Sequence, residues 1–326
     1  MIAHHLLFSQ AALAAMLLLL FAGFWGCPFI ALVCEMAGRM TKRIFLDKLA
    51  QQMARLGVLI HTGIWLGCVA GGAVLWHTHP ESLALTNPLA RFLLSTLGLG
   101  LVGTGLLIAY FTTWKQLKKD KKPIHIIMGL VGFVLIKPLF WVPALMVRNL
   151  FVTTSGQILP AIPPAHSLFW PIGVQWAFMA ITLTAVLGSL YLLIRRYRDD
   201  FGRDYYKFAL PVCAKWALFP VVADLATCAW IAALVAPAIQ TPDMTSLWAA
   251  LALRELSLIV CIIIWVVIMK TATPLRFKGM ILASGLFAWT FLVGSVATLW
   301  EILGRYTGVY VPHSFVGDLL TYLGLS

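Results

Sequence analysis

Between two long apolar runs, Phe92 to Trp114 and Ile124 to Val147, lies Lys115-Gln116-Leu117-Lys118-Lys119-Asp120-Lys121-Lys122, five lysines in eight residues. Each flanking run is long enough to cross about 30 Å of hydrocarbon as a helix. A lysine cluster beside a bilayer sits at least cost on the cytoplasmic surface. That one loop therefore fixes the side of every other loop. A chain of 326 residues that is 61% apolar and 11% charged lacks the polar residues to cover a soluble fold of its size. The sequence reads as an all-α integral membrane protein, one transmembrane helical domain over residues 1–326.

Eight spans follow from the apolar runs, at about 6–37, 56–76, 92–114, 124–147, 168–194, 208–236, 247–269 and 279–303. The basic residues gather in four of the connections: Arg39 to Arg55, the lysine run, Arg195 to Lys207, and Lys270 to Lys278. Together these hold 18 of the 24 Lys and Arg, whereas three (Arg91, Arg148, Arg305) lie near the opposite edge. This asymmetry places both termini outside. The formal charge of +12 is thereby explained by topogenic clusters, with no argument for nucleic acid. The first apolar run continues to about Cys34 and reads as a retained span, since residues 1–7 carry no Lys or Arg.

The six cysteines form no C-x-x-C or C-x-x-C-H spacing, so covalent haem, iron–sulphur and zinc motifs are not indicated, and no metal-ligating set emerges. Histidines carry more information. His4, His5, His77, His79, His166 and His313 map at or near the outer face. His61 lies about 9 Å into span two from Arg55 at helical rise, and His125 opens span four from the same, inner side. Two histidines entering on different helices are placed to ligate one b-type haem axially. The competing reading is a helix-contact histidine and an interfacial one.

Charges inside the hydrocarbon cost a few kcal/mol each unless paired or hydrated. Asp224 in span six and Arg254-Glu255 in span seven occupy one depth band in the outer half. An Asp224–Arg254 pair would leave Glu255 as a proton acceptor, and the alternative is a purely structural ion pair. Lys137, followed by Pro138, suggests a polar cavity at mid-depth. Glu35 and Lys215 lie in the inner half, where they could serve a proton path. For Lys215, snorkelling is the simpler account. His77, His79, His166 and Glu301 are read as capping the Asp224–Arg254–Glu255 band from outside.

The segment Leu20-Phe21-Ala22-Gly23-Phe24-Trp25-Gly26, an inner loop, and a second span ending in His77-Thr78-His79-Pro80 resemble the quinone-reactive membrane subunits of the polysulfide-reductase type. The run Glu35, Asp47, Gly57, Gly63, Gly67, with Trp114-Lys115-Gln116-Leu117 and His125 further on, looks like the first half of cytochrome bd oxidase subunit I. The chain departs from the latter in having no histidine in mid-span one and no Gly-Arg-Gln-Pro-Trp segment. Both resemblances imply a quinol site near the outer face of a helical bundle in a bacterial or archaeal cytoplasmic membrane. The implied function is that of a respiratory membrane subunit exchanging electrons between menaquinone or ubiquinone and an extracytoplasmic partner that carries haem c or iron–sulphur centres. A proton-coupled transporter and a haem-free anchor of a peripheral redox enzyme are the rival readings.

Overall fold

The computed structural model describes residues 2–78, 88–120, 122–155, 163, 167–199, 201–236 and 244–307. Its described elements are all helical: α1 (Ile2–Thr41), α2 (Ile44–Thr78), α3 (Pro88–Thr112), α4 (Trp114–Asp120), α5 (Lys122–Ser155), α6 (Phe169–Arg195), α7 (Gly202–Val235), α8 (Thr245–Lys270), a 3-10 turn at Pro274–Phe277, and α9 (Lys278–Thr307). Eight of them contain a stretch long and apolar enough to cross a membrane. This matches the eight expected spans.

The boundaries differ where apolarity is not the helix signal. The basic connection after span one is helical from Ile44 onward, so α2 is 35 residues long. Part of the lysine run forms the short α4. The first segment is amphipathic, with Leu49, Ala50, Met53 and Ala54 buried, and the second is basic, so neither stands out in a hydropathy window.

The chain packs as two compact units. Of the described residues, those within 20–142 make one, and those within 2–19 and 143–307 make the other. In the first unit, Phe24, Leu107, Ile136 and Leu139 form a buried cluster against which Ile60, Trp65 and Phe133 pack. Lipid tails are as apolar as these side chains, so close packing rather than expulsion from water is what holds such helices together. Backbone approach between α3 and α5 is the means. A Cβ built on Gly103 would lie 2.8 Å from the Gly132 carbonyl oxygen, and one on Gly132 would lie 3.0 Å from the Gly103 oxygen. Only glycine fits either position at this separation.

Lys137, where a polar cavity is expected, has an exposed side chain. α5 runs unbroken through Pro138, and its neighbours Ile136, Leu139 and Phe140 are buried. The apolar residues take the packed face of the helix and turn Lys137 away from it. Lys215 on α7 is likewise exposed, in keeping with a stem lying along an apolar surface.

In the second unit, α8 lies along α9 and α6 along α7. Leu183, Leu192, Leu210 and Leu292 are fully buried between them. Two prolines, Pro211 and Pro220, sit inside α7. Within the turn before Pro220, the Thr182 hydroxyl of α6 donates to the Ala217 carbonyl at 3.0 Å, tying α6 to α7. Gly202 opens α7 with φ +76°, a left-handed conformation that favours glycine. Outward faces carry Phe219, Val222, Leu256 and Ile263, all more than half exposed, as suits a lipid solvent.

Because the α3–α5 approach leaves no space for a methyl group, Gly103→Ala should cost about 1–3 kcal/mol of stability. Gly105→Ala, where nothing lies within 4 Å of the added carbon, should cost nothing measurable. Thermal unfolding of the two variants in detergent checks this; equal melting temperatures would show that the two helices separate freely.

Candidate functional site

The second unit is built around Arg254, whose α8 backbone is met at close quarters by α9. A Cβ on Gly294 would fall 2.6 Å from the Arg254 nitrogen, so glycine is what allows α9 to lie against this turn. The guanidinium sits over the Phe291 ring, 5.1 Å from its centroid. It donates through Nη2 to Asp224 of α7 and through Nη1 to Glu255. Gln175 of α6 donates from Nε2 to the other Asp224 oxygen at 3.1 Å and to Cys228 Sγ at 3.0 Å. All four long helices of the unit thus contribute to one polar cluster.

The two carboxylates are not equivalent. Asp224 is 4% exposed and receives both Arg254 and Gln175, whereas the Glu255 side chain is 43% exposed. Arg254 itself is 3% exposed. A buried guanidinium in low dielectric needs one full counter-charge, and Asp224 supplies it. Glu255 places a second carboxylate on the same guanidinium at the rim. This corrects one detail of the sequence reading: Glu255 is not left unpaired by the Asp224–Arg254 bond. Adjacent residues on a helix do not face one another, but the forked guanidinium has enough donors to hold both acids.

At one end of α9, Glu301 is also paired. Arg305 donates to its Oε2 from Nε at 3.2 Å and from Nη2 at 3.0 Å, and Nη2 reaches Ser246 Oγ of α8 at 3.3 Å. Both side chains are almost wholly buried. A carboxylate clamped along one turn of its own helix by a bidentate arginine serves as a tie between α8 and α9.

His77 lies exposed in the last turn of α2, in the first unit. His79 and His166 fall outside the described residues.

His61 and His125, both in the first unit, are buried, and each has both ring nitrogens engaged. His61 donates from Nε2 to the Phe24 carbonyl at 2.8 Å, and its Nδ1 lies 2.9 Å from Thr104 Oγ1. That hydroxyl accepts from Trp65 Nε1 at 2.9 Å, which leaves its own proton to point at Nδ1. The ring also stacks on Phe24 at 3.8 Å. His125 Nε2 faces the Tyr110 carbonyl at 2.8 Å, and Nδ1 faces Glu35 Oε1 at 2.9 Å. An axial ligand must offer an imidazole lone pair to iron. Here every ring nitrogen is spoken for by a protein group, and an aromatic ring covers one face of His61. The pair does not fit a haem.

Gln175, Tyr110 and Thr104 are members of these clusters that were not singled out from the sequence. Gln175 had a signal, since it is the single side-chain amide in span five. Tyr110 and Thr104 had none, because hydroxyls are common in membrane helices. No family model, curated protein or solved structure matches this chain.

Removing Arg254 alone strands Asp224 as an uncompensated buried charge, at a cost of about 3–5 kcal/mol. Arg254→Leu should therefore yield little monodisperse protein in detergent. Adding Asp224→Leu to it should restore most of the yield, since the pair is then replaced rather than broken. If the double variant is no better than the single one, the coupling between the two residues is not what holds the cluster.

Proposed function

We propose that the chain is the membrane subunit of a respiratory electron-transfer complex, which exchanges electrons between the quinone pool, menaquinone or ubiquinone, and an extracytoplasmic partner holding haem c or iron–sulphur centres. The observation that carries the reading is the inequality of the two acids on Arg254: one buried and fully compensated, the other at the rim of an apolar helix face. A quinol gives up two protons with its two electrons, and the protons need an acceptor at the depth where a lipid-soluble ring can reach. Glu255 meets that need. Arg254 keeps the site from accumulating uncompensated charge while the proton is held, and Asp224 with Gln175 fixes the guanidinium. The electrons pass to the partner. The haem expectation is set aside for the His61–His125 pair, on the grounds of their hydrogen bonds.

The orientation belongs to the same proposal: a bacterial or archaeal cytoplasmic membrane, with the lysine run inside and both termini outside, supported by the grouping of 18 basic residues in four alternate connections. A reporter enzyme active only in the cytoplasm should work when fused after Lys122 and fail when fused at Ser326. Activity at Ser326 would require an odd number of crossings.

A proton-coupled transporter is the second reading, favoured by the same histidines: with their nitrogens bonded to protein, the buried charges are the more conspicuous chemistry, and such charges also line transport paths. Glu255→Gln separates the two. It keeps shape and removes the titratable charge, so quinol-linked reduction of a soluble acceptor by the assembled complex should fall by about 10²-fold or more if Glu255 is a general base. Unchanged quinol oxidation, together with loss of a proton-driven solute gradient in vesicles, would transfer the site to the transport reading.

A further inference from the structure

We infer that Glu35, His125 and Tyr110 form a buried binding site for a single exchangeable proton, filled from the end of the first unit that carries the lysine run. The site is a separate constellation from the Arg254 cluster. It does not depend on the chain being a respiratory subunit.

The contacts of the triad fix how many protons it holds. A backbone carbonyl can only accept, so His125 Nε2, 2.8 Å from the Tyr110 oxygen, carries a hydrogen. Nδ1 lies 2.9 Å from Glu35 Oε1. Two lone pairs do not hold a contact that close, so a proton lies between them, either on Nδ1 facing a carboxylate or on Oε1 facing a neutral ring. The other carboxyl oxygen is served separately, since the Tyr110 hydroxyl donates to Oε2 at 2.6 Å. In both forms the pair is neutral overall and holds one acidic proton. His61 differs: its Nε2 also donates to a carbonyl, but its Nδ1 meets a hydroxyl that can supply the hydrogen, so that ring needs no second proton.

Burial makes this count matter. Glu35, His125 and Tyr110 are 3%, 0% and 1% exposed. Loss of the shared proton would leave a bare negative charge in a low-dielectric pocket and set a carboxylate against a lone pair, while a second proton would leave a bare positive one. Cys34 on α1 and Asp47 on α2 also act electrostatically on Tyr110. The proton therefore leaves only as another arrives, or as charge nearby changes, and that is the behaviour of a relay site.

The way in follows from the helix ends. Tyr110 occupies the last turn of α3 and His125 the first turn of α5, so both stand beside α4 and the exposed Lys115. Trp114 packs edge-on to His125 at 4.9 Å and to Tyr110 at 5.2 Å, a thin lid between the triad and that polar surface. On the far side, Gly129 lets the Tyr110 ring lie against α5, since a Cβ there would come within 2.9 Å of it.

The test uses the full chain in lipid nanodiscs, with histidine nitrogens and glutamate carboxyl carbons isotopically labelled for NMR. Expected is either a doubly protonated His125 ring or a protonated Glu35 carboxyl, with the shared proton exchanging into deuterated water well before the α3 amides do. Glu35→Gln should abolish that proton and leave His125 as a neutral ring protonated on Nε2. Tyr110→Phe, which leaves the pair intact, should retain it and keeps the test readable if Glu35→Gln fails to fold. A plain carboxylate beside a neutral ring would overturn the inference, and so would a shared proton that exchanges no faster than the amides, the mark of a purely structural pair. No quinone enters the measurement, so failure here and failure of the respiratory proposal are separate results.

Discussion

The absence of water from the hydrocarbon layer is the constraint on which the rest of this structure depends. Every backbone group within it must find a partner, nearly always inside its own helix, and every buried charge must find a counter-charge. The first requirement produces the long helices, including α1, which keeps Pro28 within it, and α7, which keeps Pro211 and Pro220. The second produces the polar clusters, which are few, well connected and drawn from several helices. With no hydrophobic force between helices in lipid, these clusters and the glycine contacts between helix backbones carry specificity that a soluble core would draw from side-chain burial.

Two solutions to burying charge occur in one chain. Around Arg254 a permanent cation is neutralised by Asp224, and a further acid is held at the rim. Arginine stays charged under all conditions, so any variable charge in that cluster is on the acids. Around Glu35 the cation is a histidine, which can return its proton to the acid and leave both neutral. The first arrangement supplies a fixed field in which a proton can bind, whereas the second contains the proton as part of the bond. A cluster with a fixed field suits contact with a ligand, because it need not reorganise. A shared proton suits passage, because either partner can release it.

What was legible in the sequence follows from the range of each signal. Spans are written over about twenty residues each, and the eight apolar runs stand in the structure as eight helices. Depth along a helix is also legible, since 1.5 Å per residue converts number into height. That sufficed to bring Asp224 and Arg254 together. Azimuth is not legible, because which way a residue faces depends on how each helix is rotated against the next. For that reason the pairing of Glu35 with His125, at similar depth on α1 and α5, cannot be read from the sequence, and depth alone groups His61 with His125 although they sit in separate hydrogen-bond networks. Polar connections carried the weakest signal, and there the helix start at Ile44 and the whole of α4 went unread.

Hydrogen-bond geometry then decides what depth alone left open, and the histidines show how. A histidine at a membrane helix contact invites a cofactor reading because imidazole is a good ligand and a poor lipid neighbour. Its two nitrogens are separate questions. In His61 and in His125 alike, a main-chain carbonyl takes Nε2, at Phe24 and Tyr110 respectively, so the ring is oriented by a group that can only accept. What then distinguishes the two residues is the atom opposite Nδ1. A hydroxyl, able to give or take, leaves His61 neutral and its cluster inert. A carboxylate, able only to take unless it is itself protonated, obliges the His125 cluster to contain a proton. A difference of one functional group, Thr104 in place of Glu35, thus separates a helix contact from a site with acid–base chemistry.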